Sequence, residues 1–462
     1  MGQPSPSLDR RVKLKIDFMI LPLLSSVYFL AQMGRSDLAN AKIAGMDDEL
    51  NLSPKMYSNV SSIFLVGYIT FQLPGTLLLR KIGPPLQFGL AMIAWGLITT
   101  CTVKVNSYSG LMVVRTFIGV AEALIQGAVF YLSFWYRYDE LATRGAILYS
   151  TSALAGSFNG LIAYAIERTL DAKGGWSSWR WIFLIEGILP VAWAFVIISI
   201  LPSTPETVRL GFKPEEKAAV IQRSRAAHNT GESKIRPKLI LKLLLEPQFW
   251  MFTLIDCGSH FCDSSLSNFI PAILQGLGYS DVNSQLLAVV VYASAFVGIL
   301  VACRISDKIK LRGIVISVCS AVAALGYVLL LSLRNNLGRL IATCMLAAGV
   351  YPITVLTLSW MAANIPGYTY RASAVAMINV ISQCLSISGN QAYQDPPFYR
   401  KGMSASLGLI CMSGVVAMLT VVYLKRMNQN KLTELDGEKA ARLRELSIDE
   451  IGSKHPDFFF TY

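Results

Sequence analysis

The sequence predicts an all-α membrane protein of about twelve transmembrane helices, and three observations predict it. Of 462 residues, 53% are apolar and only 15% are charged, with a mean hydropathy of +0.48. That leaves too little polar surface to cover a water-soluble protein of this length. Apolar runs of roughly 18 to 25 residues, the length that carries a helix across a hydrocarbon core, recur between Phe18 and Tyr423 with polar breaks between them. The formal charge of +12 sits at the ends of those runs. It does not form the continuous basic face or tail that would suit a nucleic acid.

In chain order, spans are expected near 17–38, 58–79, 85–103, 108–131, 143–166 and 179–201, then near 248–274, 284–303, 314–333, 339–363, 374–394 and 403–424. The longest polar stretch, 202–247, divides them six plus six and contains a helix-compatible piece at 214–228. The expected organisation is therefore an N-tail (1–16), a first six-helix bundle (17–201), a linker (202–247), a second six-helix bundle (248–424) and a C-tail (425–462). The N-tail carries Arg10, Arg11, Lys13 and Lys15 without a small-residue cleavage pattern behind it, so it is expected to be retained. The C-tail mixes charges of both signs, includes an amphipathic stretch near 434–450, and reads as a solvated regulatory or trafficking tail.

Of the 41 Lys and Arg residues, the segments on one side of these spans hold 29 and those on the other side 10. Excess positive charge marks the cytosolic side, which places both termini and the linker there. Arg144, Arg180 and Arg339, within the first two positions of their spans, are counted with the adjoining loops, which leaves Arg35 and Arg115 inside predicted spans. The eight cysteines lie in or beside apolar runs, with neither metal-ligand spacing nor a clustered framework, and are expected to be free thiols. No G-x-x-x-x-G-K-[ST] loop occurs and no nucleophile has a base at recognisable spacing, so an enzyme or ATP-driven pump is not expected and no cofactor is implied.

A charge at mid-bilayer costs at least about 2.5–3.5 kcal/mol, so such groups face polar cavities and carry partners. Arg115 and Glu122 are seven residues apart in the fourth span, which places them on one helix face roughly 10 Å apart along the axis. The planar fork of an arginine accepts a carboxylate in two hydrogen bonds and keeps its charge, whereas a glutamate there can take up a proton. Helix stitching or snorkelling remains the alternative for both. In the first span Arg35, Asp37 and Asn40 lie near the outer end. Asn159 in the fifth span is a further candidate, and the fourth- and fifth-span glycines, Gly119, Gly127, Gly156 and Gly160, suit close helix approach. In the seventh span Asp256, His260 and Asp263 follow i, i+4, i+7 spacing on one face. A polar cavity wall accounts for them better than a metal site does. In the eleventh, Asn379, Gln383 and Asn390 can bond a substrate or a neighbouring helix.

These residues fall into a recognisable order. Gly34-Arg35-Ser36-Asp37-Leu38-Ala39-Asn40-Ala41 marks the first span, Arg115-Thr116-Phe117-Ile118-Gly119 with Glu122-Ala123 the fourth, and Trp179-Arg180-Trp181 through Glu186-Gly187 the sixth. Leu201-Pro202-Ser203-Thr204-Pro205-Glu206 opens the linker, Ser306-Asp307-Lys308 with Arg312-Gly313 follows the eighth span, and Asp395-Pro396-Pro397-Phe398-Tyr399 precedes the last. Over about 13–424 the chain thus resembles the major facilitator superfamily, and within it the anion:cation symporters, especially the fungal allantoate permease-like branch. The resemblance implies two pseudo-symmetric six-helix bundles rocking about a midplane site, and proton-coupled import of an organic anion.

The resemblance also implies that the site draws on an Asp-Arg pair in the first span and on the Arg and Glu of the fourth, which match Arg35, Arg115 and Glu122. The family aspartate is Gly34 here, and an acid stands instead at Asp37, one turn along the same face. Either Asp37 substitutes, or Glu122 alone carries coupling, or coupling is lost. After Glu122 the usual Pro-Gly is Gln126-Gly127, so substrate preference is expected to differ. The expectation is a plasma-membrane, monomeric symporter of a small carboxylate with protons. Arg35, Arg115, Asn159, His260, Asn379 and Gln383 would bind substrate, and Glu122 and Asp37 would carry the proton. The alternatives are a transporter-fold nutrient sensor without net flux, which longer tails would favour, and an uncoupled or exporting facilitator.

Overall fold

The computed structural model describes residues 6–132, 134–136, 138–208, 212–228, 242–366, 368–434 and 452–462. Among these there is no strand, and each expected span is occupied by a long helix. The helices are α1 (Pro6–Ala41), α2 (Pro54–Ile82), α3 (Pro84–Cys101), α4 (Tyr108–Ala123), α5 (Tyr138–Leu170), α6 (Ser178–Ile200), α7 (Pro247–Gly276), α8 (Asp281–Ile309), α9 (Arg312–Ser332), α10 (Asn336–Asn364), α11 (Tyr368–Ala392) and α12 (Arg400–Glu434). Residue chemistry sets several of the starts. Pro54 occupies the first turn of α2, where its missing N–H costs nothing, and Ser53 Oγ accepts from Met56 N at 3.2 Å. Ser107 Oγ does the same for Gly110 N at 3.2 Å at the start of α4.

The chain forms two compact units, Met1–Asn229 with Ser267–Val289, and Thr230–Leu266 with Val290–Tyr462. Helix α7 therefore contributes to both. Its last turns belong to the first unit, where Tyr57 Oη donates to the carbonyl of Asn268 at 2.9 Å and its ring meets Phe269 edge-on at 5.4 Å.

Within the first unit α3 and α6 approach so closely that a Cβ on Gly187 would stand 2.4 Å from Thr100 Oγ1 and 2.7 Å from Thr100 N. Only glycine allows this contact, and it fixes the rotation of α6 about its axis. The preceding residue, Glu186, is thereby turned into the unit rather than toward lipid and is 5% exposed.

The fourth span is not the continuous helix that its apolar run predicts. Helix α4 ends at Ala123, a tight turn covers Leu124–Gly127, and helix resumes at Ala128–Leu132. Bonds to the third residue back replace the regular ladder: Leu124 N to Ala121 O at 3.3 Å, Ile125 N to Glu122 O at 3.1 Å and Gln126 N to Ala123 O at 3.2 Å. The cause is tertiary. Gln87 of α3 donates from Nε2 to Leu124 O at 2.8 Å and to Gly75 O at 2.8 Å, satisfying the carbonyl that the break releases.

Three further pairings depart from the reading of the charges. Arg144, which the charge count places in a loop, is buried at the start of α5 and grips Asp17 of α1 with two bonds, Nε to Oδ1 at 3.2 Å and Nη2 to Oδ2 at 2.8 Å. Lys15 donates to Glu216 of the linker helix Pro214–His228 at 2.6 Å, and Arg11 stands 3.5 Å from the same carboxylate.

The end of the chain corrects the expectation of a solvated tail. Thr461 N donates to Asn364 Oδ1 at 2.8 Å, Trp360 Nε1 and Asn364 Nδ2 donate back to Thr461 O at 2.9 and 3.0 Å, and Asn428 exchanges two bonds with the Phe460 backbone at 2.9 Å each. Gly452–Lys454 and the residues after it are thus bound to α10 and α12, because these asparagines supply the partners that the extended backbone lacks. The amphipathic stretch at 434–450 lies, beyond Glu434, outside the described residues.

Two outcomes follow for stability. Asp17→Asn removes the charged half of a mostly buried pair and is expected to cost on the order of 3 kcal/mol, read as a lower melting temperature of the purified protein. A melting temperature equal to wild type would show the pair to be dispensable. Glu216 is held below the usual carboxylate range by the Lys15 hydrogen bond and then by the Lys213 backbone N–H. Such a depressed carboxyl contributes stability above its ordinary pKa and loses it as the pH falls through the lowered value. Glu216→Gln should therefore melt below wild type at neutral pH, with the gap closing in acid. A gap that stays constant with pH would refute this pairing.

Candidate functional site

The site in the first unit is built on α1. Residues 33 to 40 of that helix present Ser36, Asp37 and Asn40 toward α5, where Asn159 meets all three. Asn159 Nδ2 donates to Met33 O at 2.8 Å, Ser36 Oγ at 2.7 Å and Asp37 Oδ1 at 2.8 Å, while its Oδ1 accepts from Asn40 Nδ2 at 2.8 Å. Two amide hydrogens are shared among three acceptors, so the side chain is fully engaged and wholly buried. Asn159 is thus a strut between α1 and α5, and in this arrangement it has no hydrogen left for a ligand.

Arg35 leaves α1 toward α2 and α4. Its Nε donates to Glu122 Oε2 at 3.0 Å, and its guanidinium lies over the rings of Tyr68 at 4.6 Å and Phe64 at 5.2 Å. The Tyr68 hydroxyl donates to Gln126 Oε1 at 2.5 Å, so the turn after α4 holds the ring on which Arg35 rests. Arg35 keeps 24% of its side chain exposed, whereas Glu122 keeps 1%.

Arg115, one helix face with Glu122 as the spacing predicts, is 2% exposed and lies 5.8 Å from the Phe64 ring. Its Nε has no hydrogen-bond partner. The charges that balance it are those of Asp37 and Glu122. The structure therefore gathers Arg35, Asp37, Arg115, Glu122 and Asn159 in one place. Glu122 Oε1 and Asp37 Oδ2 remain without partners beside the two arginines. A Cβ on Gly34 would lie 3.8 Å from Glu122 Oε1 and 3.9 Å from Asp37 Oδ2, in ordinary van der Waals contact. Gly34 thus leaves a small space between the two acids.

The remaining candidates lie in the second unit. His260 Nδ1 stands 3.4 Å from Asp256 Oδ1 of the preceding turn, and Asp263 follows on the same face. Among the described residues no group of three or more His, Cys, Asp or Glu gathers to hold a metal ion. Gln383 Nε2 donates to Asn379 Oδ1, pairing these two with each other. Asn390 Oδ1 accepts from Ser264 Oγ at 3.2 Å, which stitches α11 to α7.

Sequence reasoning quoted two members of the site without giving them a role. Glu186, buried against α1, lies within hydrogen-bonding reach of Asp37. An inventory of acids within spans, set beside that of Lys and Arg, would have found it. Gln126 was read as a departure from a family pattern, and no local signal ties it to Tyr68, which sits 58 residues away. In chemical terms the cluster of Arg35, Arg115, Asp37, Glu122 and Glu186 holds two cations and three carboxylates in a mostly water-excluded place, an arrangement suited to exchanging an anion and a proton.

The Major Facilitator Superfamily model matches residues 24–389. An uncharacterized transporter of Schizosaccharomyces pombe is 30% identical over 438 residues, covering 94% of this chain and 88% of its own. The high-affinity nicotinic acid transporter of Saccharomyces cerevisiae is 27% identical over 470 residues, covering 100% of this chain and 87% of its own. Among solved structures, an inward-facing bacterial homologue of the human lysosomal transporter Spinster superposes with a TM-score of 0.69 at 16% identity, covering 90% of this chain and 98% of that one. The xylose transporter XylE of E. coli gives 0.66 at 13% identity, covering 89% and 98%. At such identities the structures speak for the fold alone, twelve helices in the two-bundle major facilitator arrangement. The chain belongs to the Major Facilitator Superfamily and is a multi-pass membrane transporter, not an enzyme.

Proposed function

We propose that the protein is a proton-coupled symporter of a small organic anion carrying a carboxylate, acting as a monomer in the plasma membrane with both termini cytosolic, and belonging to the anion:cation symporters. The observation that carries this reading is the Arg35–Glu122 ion pair beside the unpartnered Arg115 Nε. Glu122 occupies the cation that a substrate carboxylate needs. When Glu122 takes up a proton it releases Arg35, and the anion takes its place, with Arg115 as the second contact deeper in the unit. Proton and anion then bind together or not at all, because either alone leaves an unbalanced charge in a low-dielectric place. The likeness to a nicotinic acid transporter supports a monocarboxylate as the substrate class. Asp37, one turn along α1 from Gly34, is assigned to proton handling together with Glu122.

Two outcomes test the reading. With a panel of radiolabelled monocarboxylates, nicotinate first, wild-type uptake into proteoliposomes should rise as the external pH falls, and Glu122→Gln should abolish that dependence while leaving counterflow exchange. Uptake in Glu122→Gln that still follows pH would remove Glu122 from coupling. Arg115→Lys keeps the charge but loses the planar fork, and should lower uptake by about tenfold or more at equal protein amount. Wild-type kinetics in that variant would make Arg115 purely structural.

A further inference from the structure

The cluster around α1 gathers three buried carboxylates, Asp37, Glu122 and Glu186, with two arginines, Arg35 and Arg115, and one of the three acids has no cation. Glu186 of α6 is 5% exposed, and neither Oε1 nor Oε2 has a hydrogen-bond partner. The group within its reach is Asp37, itself fully buried, with Oδ1 accepting from Asn159 and Oδ2 unpartnered. Two carboxylates in contact without a donor between them repel strongly in a low dielectric, and the arrangement becomes stable when one proton joins them.

The surroundings say which acid carries it. Asp37 accepts the Asn159 N–H at 2.8 Å and has Arg115 as a neighbouring cation, the partners that a carboxylate needs. Glu186 receives neither. The elements packed around it supply no alternative: α3 carries no charged side chain along its length. At this level α5 offers the neutral Asn159, its Arg144 being committed to Asp17. The charges on α1 and α4 near the pair are Arg35, Arg115 and Glu122, and Arg35 is bonded to Glu122.

We infer that Asp37 and Glu186 form a carboxyl–carboxylate pair that holds one proton, with Glu186 donating its O–H to Asp37 Oδ2, a second proton site distinct from Glu122. The pair then carries a single negative charge. Arg35 with Glu122, and Arg115 with the pair, make the resting site neutral. An anion that takes Arg115 withdraws the cation that keeps Asp37 ionised, so the pair senses occupancy of that arginine. The inference rests on the buried cluster itself and stands whether or not Glu122 is the coupling group.

The test is infrared difference spectroscopy of the full-length protein in nanodiscs, stepped from neutral to alkaline pH with no substrate present. Wild type should show a protonated-carboxyl C=O band at neutral pH that shifts in deuterium oxide and is lost at alkaline pH. Glu186→Gln, which preserves shape and an N–H donor toward Asp37, should lack that band, and Glu122→Gln should retain it. A band unchanged in Glu186→Gln would overturn the inference. Should Glu186→Gln fail to fold, Asp37→Asn asks the same question: the Glu186 band must change frequency once its acceptor is no longer a carboxylate, and an unshifted band overturns the pairing. Loss of pH-driven uptake in Glu122→Gln bears on the proposed function and leaves this result untouched.

Discussion

Hydrocarbon offers no hydrogen bonds, and that single fact arranges the first unit. A polar side chain carried into the membrane is stabilised by a partner within the protein, and in this unit most such partners stand on another helix. The partners found here join α1 to α2, α4, α5 and α6. Asn159 satisfies three acceptors of α1 at once, Arg35 reaches Glu122 of α4 and two rings of α2, and Asp37 meets Glu186 of α6. The first helix is thus the hub on which the charged groups converge, and the same bonds that hold it also set the spacing of the arginines. In such a unit stability and function draw on the same contacts, so weakening a strut also moves a candidate site.

Much of this was legible in the sequence because the bilayer acts on residue type and length directly. The twelve spans, the two intramembrane arginines and the face shared by Arg115 and Glu122 follow from hydropathy and helical spacing alone. Seven of the long helices among the described residues are apolar enough to identify by composition. Helix α4, which carries Arg115 and Glu122, is not among them because the break after Ala123 leaves it only 16 residues long.

What could not be read shares one property: it depends on partners far away in the chain. The break after α4 covers Leu124–Gly127 within an otherwise apolar run, and it is Gln87, from another helix, that stabilises the freed carbonyl of Leu124. The docking of Phe460 and Thr461 rests on Asn428 and Asn364, which give no local hint that a distant segment will lie across them. Glu186 escaped notice for another reason. Orientation depends on Lys and Arg, so an inventory made for topology passes over acids.

The departures from the family pattern converge on one corner of the site. Gly34 leaves a gap beside Glu122 Oε1 and Asp37 Oδ2, Asp37 supplies an acid from one turn along, and Gln126 holds the Tyr68 ring against Arg35. These changes compensate one another. Moving the acid from position 34 to Asp37 takes it away from the Arg35 side of α1 and toward Asn159 and Glu186, so Arg35 is left with Glu122 as its carboxylate partner and with aromatic faces for the rest of its surface. A guanidinium held by one carboxylate and two rings can exchange that carboxylate for another without losing its orientation, because the rings fix its plane. The methyl-sized space at Gly34 lies between Glu122 Oε1 and Asp37 Oδ2, so an acid at that position would put a third carboxylate against these two.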